Sequence, residues 1–144
     1  RDLHSFPTLL SSDLKAMYFD ESAQPYTIMN NLWVAFGLAY SSNPAKIVPV
    51  RVYDGTSGTP GVQIGPTVNV TMGQIMSDVS GGYYTEYSFV NNPITLPASK
   101  KFFVAIDVTN LDWPTSHDTL SIVSNSAGQT TPSAIWEKQS DNLW

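Results

Sequence analysis

Histidine is the side chain best suited to general-base work near neutral pH, and this chain carries two, His4 and His117. His4 stands in a stretch without periodicity, which leaves His117 as the candidate base. A hydrolytic triad needs a serine and a carboxylate converging on the imidazole from separate segments. Ser116 adjoins His117, but neighbouring residues seldom aim their side chains together, and no G-x-S-x-G elbow is present. His117 is therefore expected to be a polar loop residue. Cysteine is absent, which removes thiolate nucleophiles, thiolate metal sites and disulfides. There is no H-E-x-x-H, so a catalytic zinc site is not expected.

Oxygen chemistry is richer. The stretch Asp107-Val108-Thr109-Asn110-Leu111-Asp112, followed by Asp118, concentrates carboxylates and an amide. Asn110, Asp112 and Asp118 are candidate ligands for a structural calcium ion, although their spacing fits no EF-hand loop; no other cofactor is expected. Glycoside hydrolysis needs an acid and a base across a cleft. Glu86 and Asp107 fall mid-strand, out of phase with the apolar positions, and read as solvated sheet residues instead. No catalytic residue is assigned.

Aromatic rings offer the last chemistry, because sugars stack their C–H faces on flat rings while amides and carboxylates bind the hydroxyls. Trp113 lies among such groups in the run from Asn110 to Asp118. Trp113, Asp112 and His117 are the expected binding rim, and Tyr53, Tyr83 and Tyr84 are candidates for an adjoining platform. Trp33, Trp136, Trp144, Tyr26 and Tyr40 are expected to be packing residues.

The elements that must position these groups follow from period-two alternation. Residues 32–40, 47–53, 67–71, 83–89, 102–108, 120–123 and 134–136 read as strands. Pro49 lacks a ladder donor and implies an edge or a bulge there. Ser11 to Met17 and Met72 to Asp78 are the two short helical candidates. Turn clusters separate the runs. In the densest, Asp54 to Gly61, Asp54 caps the turn as an Asx motif, and Pro60-Gly61 suits a type II turn with Gly61 at positive φ. No lysine follows these glycines, so a phosphate-binding P-loop is excluded. The pattern predicts an all-β fold, an antiparallel two-sheet β-sandwich of about eight strands with little helix. Residues 1–30 are expected to form a linker with a first edge strand, and residues 31–144 the sandwich module. Asn69-Val70-Thr71 matches a glycosylation sequon but falls in a strand and reads as chance.

Composition narrows the classes of function. The chain has 144 residues, 42% of them hydrophobic, and a net charge of −5, which suits one folded domain. Only 13% of residues are charged, about half the usual quarter. An acidic domain with scattered cations is a poor partner for nucleic acid or an anionic membrane, and no apolar run reaches the ~18 residues of a bilayer span. Arg1 is neither an initiator nor the start of a signal peptide, and Leu143-Trp144 ends abruptly; the chain is expected to be a segment of a longer protein.

The stretch Val50-Arg51-Val52-Tyr53-Asp54-Gly55, continued by Gly58-Thr59-Pro60-Gly61-Val62-Gln63-Ile64-Gly65, resembles a pattern in accessory β-sandwich modules of large secreted Bacteroidetes proteins. Phe102 to Asp107, Asp118-Thr119-Leu120, Trp136 and Trp144 extend the resemblance over residues 30 to 144. It implies a jelly-roll-like, non-catalytic, extracellular module attached to a peptidase, glycoside hydrolase or adhesin. The implied roles are glycan binding or surface attachment, with a polysaccharide and the parent protein's neighbouring domains as partners. Two alternatives stay open. One is a structural accessory domain packing on a secreted peptidase, which an exposed apolar patch would favour. The other is a stand-alone hydrolase, which would require His117 to face a serine or carboxylate in a cleft.

Overall fold

The computed structural model describes residues 14–123 and 135–138. Its first strands are β1 (Leu14–Asp20), β2 (Ile28–Met29), β3 (Asn31–Val34), β4 (Phe36–Tyr40), β5 (Ile47–Asp54) and β6 (Gln63–Thr71). Helix α1 (Met72–Gly81) follows, then β7 (Thr85–Ser88), β8 (Ile94–Thr95) and β9 (Lys101–Asp107). A one-turn helix α2 (Trp113–Ser116) precedes β10 (Thr119–Ile122) and β11 (Ile135–Lys138). The chain is predominantly antiparallel β, as its alternation predicts. One five-stranded sheet runs in the order β11-β1-β9-β5-β6, and three two-stranded ladders pair β2 with β8, β3 with β7 and β4 with β10.

Strand β9 shows why the larger sheet is central. From Phe102 to Asp107 every residue is buried, so both of its faces are covered, as a run without polar alternation requires. One face, with Val48, Val50 and Val52 of β5, joins Val34, Phe36, Met72, Ile75, Tyr87, Phe89 and Ile94 in a single core. The five-stranded sheet and the short ladders therefore share one apolar interior. The other face carries Ala16, Tyr53, Phe103 and Ala105 as a second cluster, and Phe103 lies 5.0 Å from the ring of Tyr18.

Tyr87 is fully buried in the main core, and its hydroxyl makes no hydrogen bond. Burial pushes its ionisation far above the ordinary tyrosine value. An unpaired buried donor costs about 1–3 kcal/mol, so Tyr87→Phe is expected to raise the unfolding free energy by about 1 kcal/mol. Urea denaturation at neutral pH measures this directly, and a loss of stability would refute it.

Several sequence expectations are corrected. Leu14 to Met17, read as part of a helix, belong to β1, while Ser11 to Asp13 lie outside the described residues. Leu14–Asp20 is an interior strand between β11 and β9, where a linker and an edge strand were expected; its side chains alternate in register with all seven residues of β9. Met72–Gly81 is helical as predicted, with the Thr71 hydroxyl accepting the Gln74 N–H at 3.2 Å and Gly82 closing the helix at φ 71°. Gly61 does not take positive φ; Gly58 does, at 82°. Asp54 does cap its turn, accepting the Thr56 N–H at 2.8 Å.

Proline and glycine explain two local details. Pro49 lies in an interior strand, yet the pairing of β5 with β9 begins at Val50, so the missing N–H interrupts no ladder there. The register against β6 shifts beside it, between Val50 and Val52. In β4, Leu38 pairs with Ser121 but Phe36 pairs with Ile122. Two residues of β4 thus advance against one of β10, a bulge at Gly37. A one-residue slip moves the following side chains to the opposite face. Phe36 is buried, whereas Leu38 and Tyr40 are exposed.

Candidate functional site

The loop between β9 and β10 was the expected site, and its geometry is set by two aspartates. The Asp112 carboxylate accepts the Thr115 N–H at 3.2 Å, and the Asp112 carbonyl accepts the Ser116 N–H at 3.1 Å. Together they cap one helical turn, an arrangement that short acceptor side chains favour. His117 then leaves the turn at φ 52°. Asp118 is fully buried. Its Oδ2 accepts the Asp112 N–H at 2.8 Å, lies 2.9 Å from the Ser116 hydroxyl and is ion-paired with Lys46. Lys46 also donates to Ser116 Oγ at 3.0 Å.

Burial pushes the Asp118 carboxyl up, but the bonds from Lys46, Ser41, the Asp112 N–H and Ser116 outweigh it and hold the group well below its ordinary range. The network fastens the loop to the start of β5, and each expected calcium ligand has another role in it. Asn110 donates its amide to the Ile47 carbonyl at 3.3 Å, Asp112 caps α2, and Asp118 holds Lys46. Among the described residues, no group of three or more His, Asp or Glu side chains is placed to hold a metal ion. Lys46 was not identified from the sequence, because its partner is 72 residues away and no local pattern links them.

The remaining sequence candidates separate. His117 is exposed, and its carbonyl accepts the Thr119 hydroxyl at 3.2 Å. Trp113 opens α2. Tyr53 is buried opposite Phe103, near the far end of β5 from Ile47, about 20 Å at the usual strand rise. It does not adjoin the loop, and burial raises its ionisation above the ordinary value. Asp107, expected on a solvated face, is buried; it accepts Arg51 Nη1 at 2.5 Å and the Thr109 hydroxyl at 2.6 Å. Those charge-assisted bonds are what make its burial affordable.

A different surface carries exposed rings. On the outer face of the β3–β7 ladder Trp33 stands opposite Glu86, and Asn31 opposite Ser88. Trp33 is 58% exposed and Glu86 is exposed beside it. Ser88 Oγ donates to Asn31 Oδ1 at 3.1 Å, which orients the amide. Tyr83 and Tyr84 are exposed just before β7. In the β4–β10 ladder Leu38 and Tyr40 are turned outward past the bulge, and Tyr40 pairs with Thr119. The expected Trp113 rim precedes β10 and so adjoins the Tyr40 end of β4, seven residues along the chain from Trp33. An indole with a carboxylate, an amide and a hydroxyl on the same face can stack a sugar ring and bond its hydroxyls. Trp33 and Tyr40 were expected to pack; their alternation has the same period whichever face is solvated. Comparison with protein-family models, with curated proteins and with solved structures yields no match to this chain.

Proposed function

We propose that this chain is a non-catalytic β-sandwich module, jelly-roll-like in arrangement, that binds glycan on behalf of a larger secreted protein. The observation that carries this reading is Trp33, exposed on the outer face of the β3–β7 ladder with Glu86 opposite it and the Asn31–Ser88 pair two residues away on the same face. Supporting the sandwich is the continuity of β2, β3 and β4, separated by single residues at Asn30 and Ala35. Read as one strand flanked by β7–β8 and by β10, they form a second layer over the five-stranded sheet. Non-catalytic action is favoured because His117 and Ser116 stand on a loop whose polar groups bond one another.

The test is native affinity electrophoresis against a panel of soluble polysaccharides, with calcium and with EDTA. Retardation by at least one glycan is expected, lost in Trp33→Ala and retained in Trp113→Ala and in EDTA. Because Trp33 is exposed, the unfolding free energy of Trp33→Ala is expected to stay within about 0.5 kcal/mol of wild type. Retardation that survives Trp33→Ala but fails in Trp113→Ala would move the site back to the β9–β10 loop. No retardation by any glycan would overturn the reading. It would leave the structural accessory domain, which the exposed apolar side chains of Ile28, Leu38 and Tyr40 favour as a docking face.

A further inference from the structure

The outer edge of β6 bears no partner among the described residues, because β6 ends the five-stranded sheet. It is nine residues long, and from Gln63 to Thr71 it contains no charged residue. Charges are the usual device that keeps a free edge from pairing with another chain; here only Pro66 and the turn at Gly65 protect its first half. The second half reads Thr67-Val68-Asn69-Val70-Thr71, the same in both directions about Asn69.

The direction of the backbone groups can be worked out. Met72 donates its N–H to the Lys46 carbonyl at 2.7 Å, one step beyond the Ile47–Thr71 pair. Antiparallel pairs alternate between bonded and non-bonded, so Val70 with Val48 and Val68 with Val50 are the bonded pairs. Asn69 faces Pro49 in a non-bonded pair, which suits a proline without a donor. The N–H and C=O of Asn69 therefore point outward, with those of Thr67 and the N–H of Thr71. The side chains of Thr67, Asn69 and Thr71 are exposed, and Val68 and Val70 point inward, half-buried.

We propose that a second copy of this chain pairs antiparallel along this edge, about a two-fold axis through Asn69. The palindrome makes the contact self-complementary, as a two-fold interface requires: Thr67 meets Thr71 of the other copy, Val68 meets Val70, and Asn69 meets Asn69. The Asn69 pair exchanges two backbone bonds, and each Thr71 N–H reaches a Thr67 carbonyl. No like charges face each other at the axis, and cross-strand threonine pairs add to the contact. The two five-stranded sheets then become one continuous sheet.

The test uses the absence of cysteine. In Asn69→Cys the two new thiols sit at the axis, where bonded cross-strand Cα atoms are about 5.5 Å apart, within disulfide reach. Mild oxidation at micromolar concentration is expected to convert most of this variant to a covalent dimer of twice 15.8 kDa. Thr59→Cys, on an exposed loop, is expected to remain monomeric under the same conditions. Wild type is expected to sediment as a monomer–dimer equilibrium, and Asn69→Lys, with two like charges at the axis, to weaken dimerisation at least tenfold with an unchanged circular dichroism spectrum. Crosslinking no faster than Thr59→Cys, a monomer at every concentration, or a dimer unaffected by Asn69→Lys would each overturn the proposal.

Discussion

Asp118→Ala is expected to lower the unfolding free energy by about 3 kcal/mol, the low end of the cost of breaking a buried ion pair. Asp118 is wholly buried while the Lys46 side chain is 20% exposed, so the orphaned ammonium recovers part of its hydration. The loss also includes the acceptor for the Asp112 N–H, which otherwise anchors the loop. A double variant, Lys46→Met with Asp118→Leu, removes both charges at once and is expected to recover more than half of the loss. Guanidinium unfolding at pH 7 measures all three proteins. A cost below about 1 kcal/mol for Asp118→Ala would show that the pair holds nothing in place.

The same pair sets an acid limit. The folded Asp118 carboxyl lies well below its ordinary value, so the folded state binds this proton less readily than the unfolded state. Its stabilisation is complete above the unfolded carboxyl value near pH ~3.9 and is lost as pH falls below that. Asp107 is shifted in the same direction: burial pushes it up, but bonds from Thr109 and Arg51 outweigh it. Wild type is expected to lose stability steeply below about pH 4, and the gap between wild type and Asp118→Ala to narrow there. A gap that stays constant down to pH ~2 would contradict the assignment.

Gly65→Ala is expected to cost about 2–5 kcal/mol. Gly65 takes φ 71°, where an L-residue is strained by about 1–2 kcal/mol. A Cβ there would lie 2.6 Å from Ile94 Cγ1, and Ile94 is fully buried, so it has no room to retreat. Overpacking of this kind adds about 1–3 kcal/mol. Gly82 separates the two contributions, since it shares φ 71° but has open space around its Cβ position. Gly82→Ala is expected to cost only the backbone strain, and equal losses in the two variants would refute the steric part. Chemical denaturation of both variants side by side is sufficient.

The Trp113 rim illustrates how far local reading reaches. Polar and aromatic types clustered between Asn110 and Asp118 are visible in the sequence, and the structure does form a bonded loop there. What the cluster does was not legible, because Lys46, 72 residues away in sequence, joins the Asp118 carboxylate. Trp33 shows the converse. Its neighbours Leu32 and Val34 are apolar, so alternation marks a strand without saying which face meets water. Tyr53 and Asp107 were placed on solvated positions by phase, yet the outer face of the five-stranded sheet carries a core cluster of its own.

The sequence by itself determined the β class, most of the strands, the helix after Thr71 and the Asx turn at Asp54, because alternation, capping and turn chemistry act between residues a few positions apart. Only the tertiary structure decided that Leu14–Asp20 lies inside a sheet, that Lys46 neutralises Asp118 and that Trp33, Leu38 and Tyr40 face outward. Those outcomes depend on which distant segments pack together, and at Gly37 on a single bulge that inverts every side chain after it. Period two encodes two faces equally well, and burial against the rest of the chain chooses between them.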